Sequence, residues 1–220
     1  MEKTLPYYVA FSHCLGIGPI TFNVLLKHFE TVEKAYNATE KELKKVLGSG
    51  ILGRFLKFRN AFNVEEKLYQ FKEKKITVLT REDERFPQQL REISDPPICL
   101  YVKGNLDGFD FDKDYLLSVV GTRKPTSYGQ QITRKLVAGL SAAGFVIVSG
   151  MAMGIDTIAH QTALEYDTKT VAILGCGVDI VYPSINQKLY DAIVGGGGIV
   201  VSEFPPGMAT LPGLFIARNR

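Results

Sequence analysis

Between residues 116 and 202 the chain repeats one unit: a short run of Val, Ile and Leu, a turn rich in small residues, then a stretch with helical periodicity. Strand-like runs fall at 116–120, 145–148, 171–174 and 199–202, and helix-like stretches at 130–143, 157–166 and 186–194. Runs that are apolar throughout, and not only on alternate residues, are buried on both faces, as the strands of a parallel sheet are. Strand–helix–strand repetition of this kind predicts an α/β fold. Right-handed crossovers then predict helices on both faces of the sheet and bring all four strand ends to one edge.

That edge is where open α/β sheets hold ligands, because backbone N–H groups and helix N-termini face the crevice there. The first turn, Gly121-Thr122-Arg123-Lys124, offers a hydroxyl, backbone donors and a guanidinium able to fork onto phosphate. Taken alone, it reads equally as a tight turn with a surface arginine. The second runs from Ser149 and Gly150 through Met151 to Gly154, and its glycines would let a ligand backbone come close. Asp156 is placed to cap a helix from Thr157 onward. Neither this turn nor Gly175-Cys176-Gly177 fits G-x-G-x-x-G, and no acidic residue ends a following strand in the ribose-binding position, so no dinucleotide cofactor is expected. The glycines at 195–198 follow a helix and precede a strand, which predicts a helix cap and loop at the opposite edge. Asp156, Asp179 and Glu203 are expected to cap helices or orient basic residues, and no spacing identifies a catalytic set. Phe215, Arg218 and Arg220 join an aromatic face to a local positive cluster, which is the physics of single-strand binding. A core Phe with solvated arginines is the simpler reading of the same residues.

Composition narrows the choice. Of 220 residues, 45% are hydrophobic and 22% charged, an ordinary globular balance. No apolar run reaches the roughly 18 residues a membrane helix needs, and the N-terminus lacks a secretory pattern, so a cytoplasmic protein with no membrane partner is expected. Cys14, Cys99, Cys176, His13, His28 and His160 are scattered, which predicts buried, reduced thiols and no metal site. Residues 1–63 carry 9 Lys/Arg against 5 Asp/Glu, whereas 64–220 carry 17 against 18. Nucleic acid bound by the second part must therefore meet a local positive pocket, because the long-range field there is weak.

From 7 to 63 the pattern is helical, with amphipathic segments at 21–29, 32–36, 39–47 and 51–62. Thr39 and Glu42 have capping-box spacing. Gly16-Ile17-Gly18-Pro19 has the form of the hairpin in helix-hairpin-helix modules, or of a glycine turn that opens a helix. Residues 67–75 read as a helix, 76–79 and 98–102 as strands that join the sheet. The expected domains are 1–63 and 64–220. The Pro/Gly-rich stretch 204–213 leaves the last strand without a capping helix, which reads as a fragment of a larger sheet.

Five ordered motifs carry a resemblance: Gly121-Thr122-Arg123-x-Pro125, Ser149-Gly150-x-Ala152-x-Gly154-Ile155-Asp156-x-x-Ala159-His160, Leu174-Gly175-x-Gly177-x-Asp179-x-x-Tyr182-Pro183, Ser202-Glu203-x-Pro205-Pro206-Gly207 and Phe215-x-x-Arg218-Asn219-Arg220. Together they resemble the DNA-processing protein A (DprA/Smf) family, over about residues 75–220. The helical front resembles that family's variable N-terminal domain, similar to sterile-alpha-motif or helix-hairpin-helix folds. The resemblance implies an extended Rossmann-like domain that binds single-stranded DNA, protects incoming strands in natural transformation and helps load RecA recombinase without consuming nucleotide. It implies a homodimer in the full-length protein, of which this chain would be a C-terminally truncated member. It places DNA contacts on Gly121, Thr122, Arg123 and Lys124, on Ser149, Gly150, Met151 and Gly154, and on Phe215, Arg218 and Arg220. Structural or orienting roles fall to Asp156, Glu203 and Asn219. Residues 208–214 lack the Lys that some members place just before the Phe, so one expected cation is missing.

The competing class is an enzyme, a nucleotide or nucleoside-phosphate hydrolase of the lysine-decarboxylase-like (LOG) type, which shares this broad sheet. Its P-G-G-x-G-T-x-x-E turn is absent here.

Overall fold

The computed structural model describes residues 3–219. Helices α1 (Leu5–His13), α2 (Pro19–Phe29), α3 (Val32–Asn37), α4 (Glu40–Leu43), α5 (Ser49–Ala61) and α6 (Val64–Glu73) come first. Strand β1 (Ile76–Thr80), helix α7 (Gln88–Glu92) and strand β2 (Cys99–Gly104) follow. The alternating part comprises β3 (Leu116–Ser118), α8 (Ser127–Ala142), β4 (Val146–Ser149), α9 (Ile155–Glu165), β5 (Thr170–Ile173), α10 (Gln187–Gly195) and β6 (Ile199–Ser202). A last helix, α11 (Pro212–Arg218), fills the stretch that the sequence reading left uncapped.

The strands form one sheet in the order β1-β2-β6-β5-β4-β3. β3 to β6 are parallel in sequential order, with Leu117 opposite Ile147, Val148 opposite Val171 and Ala172 opposite Val200. β2 runs antiparallel to β6, pairing Tyr101 with Ser202. The expected α/β class, a mostly parallel sheet flanked by helices, is the one observed. Because β3, β4, β5 and β6 step across the sheet in one direction, right-handed crossovers deliver α8, α9 and α10 side by side. Ala159 and Ala163 on α9 let α8 come close, and with Val137 and Ile147 they form a small core cluster. β3 is shorter than the run at 116–120: as the edge strand it has one neighbour, and Val120 beyond it is exposed.

Contacts divide the chain into two compact units, Met1–Lys74 with Val78–Leu100, and Lys75–Thr77 with Tyr101–Arg220. This division differs from the expected boundary at 63/64. Residues 78–100 group with the helices because Arg81 stacks its guanidinium 5.0 Å from the Phe22 ring centroid and donates to the Pro96 and Pro97 carbonyls. Tyr8 also donates to Glu82, and Ile98 joins the core of Phe11, Phe22 and Phe55. The Thr39–Glu42 capping box forms as its spacing predicted. Thr31 also caps its helix, accepting from the Lys34 N–H with no reciprocal acid. No described helix is long and apolar enough to cross a membrane.

His160 is buried in α9. Its Nδ1 lies 2.8 Å from the Thr170 hydroxyl, which itself donates to the Ile147 carbonyl, so Nδ1–H is the donor to Thr170. Burial holds the imidazole neutral, with its pKa pushed down to about 3. Cys14, Cys99 and Cys176 are all buried, as expected.

Candidate functional site

The carboxyl ends of β3, β4, β5 and β6 lead into four turns, and the sequence explains how each is fixed. After β3, residues 121–124 are exposed and folded onto the start of α9. Ile155 N–H donates to the Thr122 carbonyl at 3.2 Å. Gly154 has φ +85°, and a Cβ there would strike the Thr122 carbonyl and Arg123 backbone. Gly121 likewise leaves room for Ile155, which a Cβ would approach to 2.6 Å. The Thr122 hydroxyl accepts from Lys124 N–H at 3.2 Å, closing the turn on itself. Arg123 is held out from this turn into a concavity.

The turn after β4 is folded inward. Ser149 and Met151 are buried, and the Ser149 hydroxyl donates to the Val119 carbonyl at 2.7 Å. Asp156, only 5% exposed, accepts from the N–H groups of Gly150 (3.2 Å) and Ala152 (3.3 Å). A buried carboxylate is tolerated where it collects donors, so these N–H groups point inward and are not offered to phosphate. Asp156 is not the helix cap either: Gly154 holds that position, and Asp156 lies in the first turn of α9. Its orienting role takes another form, fixing the preceding loop. Asn186 completes the frame by donating to the Met151 carbonyl at 2.8 Å.

Gly150, expected to admit a ligand, admits the protein's own last helix, as does Gly175 after β5. The Phe215 ring lies on Gly175, with Cδ1 2.9 Å from where a Cβ would sit. At Gly150 a Cβ would lie 2.7 Å from Arg218 Cζ. Arg218 Nη1 donates to the carbonyls of Gly150 (3.1 Å) and Ile173 (3.0 Å), and Nε donates to the Asn219 side chain at 2.9 Å. Burial lowers the Arg218 pKa; Asp156 opposes the shift and Arg123 adds to it. Arg218 thus clamps α11 across the ends of β4 and β5, with Asn219 as its orienting partner. Asp179 holds the loop after β6, accepting from Gly207 N–H at 2.7 Å, while Glu203 is half-buried directly after β6. Arg220 lies outside the described residues.

What remains open is a concavity of about 360 Å³, counting space open to solvent, lined by Arg123, Gly150, Ala152, Met153, Tyr182, Pro183, Phe215 and Arg218. It brings together Arg123, Gly150, Phe215 and Arg218 from the expected set; Ser149 and Met151 do not line it. Ala152, Met153, Tyr182 and Pro183 line it without being in the expected set. Tyr182 stands in a family motif, but its ring gave no signal beside Pro183 until the fold placed it 5.6 Å from Phe215. The glycines at 196–198 cap α10 and lead into β6, as their position predicted. Among the described residues no group of three His, Cys, Asp or Glu could hold a metal.

These features define a class: a Rossmann-like α/β protein whose ligand edge carries cations and rings where a nucleotide-binding protein carries a glycine loop. The family of DNA recombination-mediator protein A matches residues 77–220, and the chain belongs to that family. It is 38% identical over 217 residues to Protein Smf of Synechocystis, covering 97% of this chain and 54% of that protein. It is 44% identical over 138 residues to the DNA processing protein DprA of Streptococcus pneumoniae, covering 63% and 47%. The chain therefore spans about half the length of these relatives. Among solved structures, the Streptococcus pneumoniae protein superposes with TM-score 0.79 at 31% identity, over 97% of this chain and 72% of that one. DNA processing protein A from Helicobacter pylori, described with a single-stranded DNA binding mode, gives TM-score 0.57 at 33% identity, over 66% and 62%.

Proposed function

We propose that this chain binds single-stranded DNA along the carboxyl edge of its sheet. One observation carries the reading: the exposed Arg123 shares a concavity with the Phe215 and Tyr182 rings. A cation for the backbone beside aromatic faces for the bases is the pairing that single strands need. Lys124, exposed next to Arg123 in the chain, adds charge, and Gly121 and Thr122 set the turn that presents both. Gly154 seats that turn through close packing and contributes indirectly.

The reading is non-enzymatic. Among the described residues no carboxylate, imidazole or thiol lines the concavity, and His160 and Cys176 are buried. Family membership supports a role in the cytoplasm in which the longer proteins, as homodimers, protect incoming strands during natural transformation and help load RecA. The test is equilibrium binding of a fluorescent oligo-dT by the chain and by Arg123→Ala. The variant is expected to bind about tenfold more weakly, the loss of one charge-assisted contact. Undiminished binding sinks the assignment, and release of free base from nucleoside monophosphates would replace it with the hydrolase.

A further inference from the structure

The two rings of the concavity are not equivalent. Phe215 is half-buried, its ring laid on Gly175 and flanked by the Arg218 guanidinium 6.0 Å from its centroid. Much of its surface is therefore already used in holding α11 down. Tyr182 reaches the same concavity from the loop that follows β5, where 43% of it remains exposed. It is tilted 41° to Phe215, with centroids 5.6 Å apart. Met153, 44% exposed, also lines the concavity, and Arg123 supplies the cation.

A ring exposed beside two guanidinium groups offers an apolar face that a flat ligand can cover. A nucleobase suits the gap: its π-face is apolar, its edges are polar, and the phosphate on either side of it would meet Arg123. We propose that Tyr182 is the base-stacking residue of this site, with Phe215 as the layer beneath it that fixes its angle. This rests on the reading of the edge as a single-strand site and deepens it. A base that stacks on Tyr182 makes binding depend on bases as well as on backbone charge. Duplex DNA, whose bases are already stacked on each other, would gain nothing from the ring.

The test separates base from backbone. Affinities of the 220-residue chain, Tyr182→Ala, Tyr182→Leu, Tyr182→Phe and Arg123→Ala are measured for oligo-dT and for an abasic oligomer of the same length, at one salt concentration. Stacking of one base corresponds to roughly a 5- to 150-fold change in affinity. Tyr182→Ala and Tyr182→Leu are expected to lose that factor on oligo-dT and none on the abasic strand, with Tyr182→Phe retaining oligo-dT binding. The leucine variant keeps apolar bulk over Phe215, so the result does not hinge on the alanine variant folding. Equal loss on both strands, or no loss on either while Arg123→Ala weakens both, overturns the stacking role and leaves the edge assignment standing. No loss in Arg123→Ala on either strand brings down the edge assignment itself.

Discussion

Replacing Gly150 with Ala tests whether the glycine serves the protein's own last helix. Gly150 is not in the left-handed region, so a methyl group adds no backbone strain, and its effect is the collision with Arg218, 2.7 Å from Cζ. Arg218 must then leave the Gly150 and Ile173 carbonyls. Hydrogen bonds from a charged donor contribute about 1.5–3 kcal/mol each. Both come from one nitrogen of a group that rehydrates once released, so the net loss is about 2 kcal/mol. α11 has seven residues, too few to persist as a helix in water without docking. The loss therefore falls on the docking of α11, and a change of about 2 kcal/mol raises its open population roughly 30-fold. Native-state hydrogen exchange reads this directly. Amides at 214–219 are expected to exchange about 30-fold faster in Gly150→Ala, with those of β4 and β5 unchanged. Arg218→Lys, which keeps the charge but loses the planar fork, is expected to loosen the same segment. Exchange of α11 within about twofold of the parent in both variants would refute the clamp.

Two further outcomes concern buried titratable groups. His160 has a folded pKa of about 3 against an ordinary 6.5, so the unfolded chain binds the extra proton between those values. Its contribution is present in full above pH 6.5 and is lost as pH falls toward 3, with a slope approaching about 1.4 kcal/mol per pH unit. Urea denaturation from pH 8 to 4 should show that slope in the parent and a shallower one in His160→Gln, and equal slopes would refute the burial argument. Burial pushes the thiols of Cys14 and Cys176 up to about 11, so a chromogenic disulfide reagent at pH 7.5 should titrate them only after denaturation. Rapid reaction of either in the native chain would contradict their placement.

The alternation between 116 and 202 was legible because strands buried on both faces must be apolar at every position. Its turns were found for the same reason, since each begins where an apolar run stops. What those turns face was not legible. A glycine signals that something comes close, and sequence alone does not say whether it is a ligand or residue 218 of the same chain. The inward N–H groups of Gly150 and Ala152 were missed because Asp156, read as a helix cap, is aimed by burial at the loop before it. Tyr182 was passed over because its partner Phe215 is 33 residues away, and only the return of α11 brings the rings together. The grouping of residues 78–100 with the helices was not legible for a similar reason: Arg81 lies beyond a strand but finds its ring and carbonyl partners among the helices and the loop at 96–97.

The salt dependence of oligo-dT binding measures whether Arg123 meets a DNA phosphate. Each phosphate neutralised on a single strand contributes about −0.7 to the slope of log K against log salt. Arg123→Ala is predicted to bind more weakly at every salt concentration, with a slope shallower by about 0.7. Superimposable lines for the two proteins would contradict it.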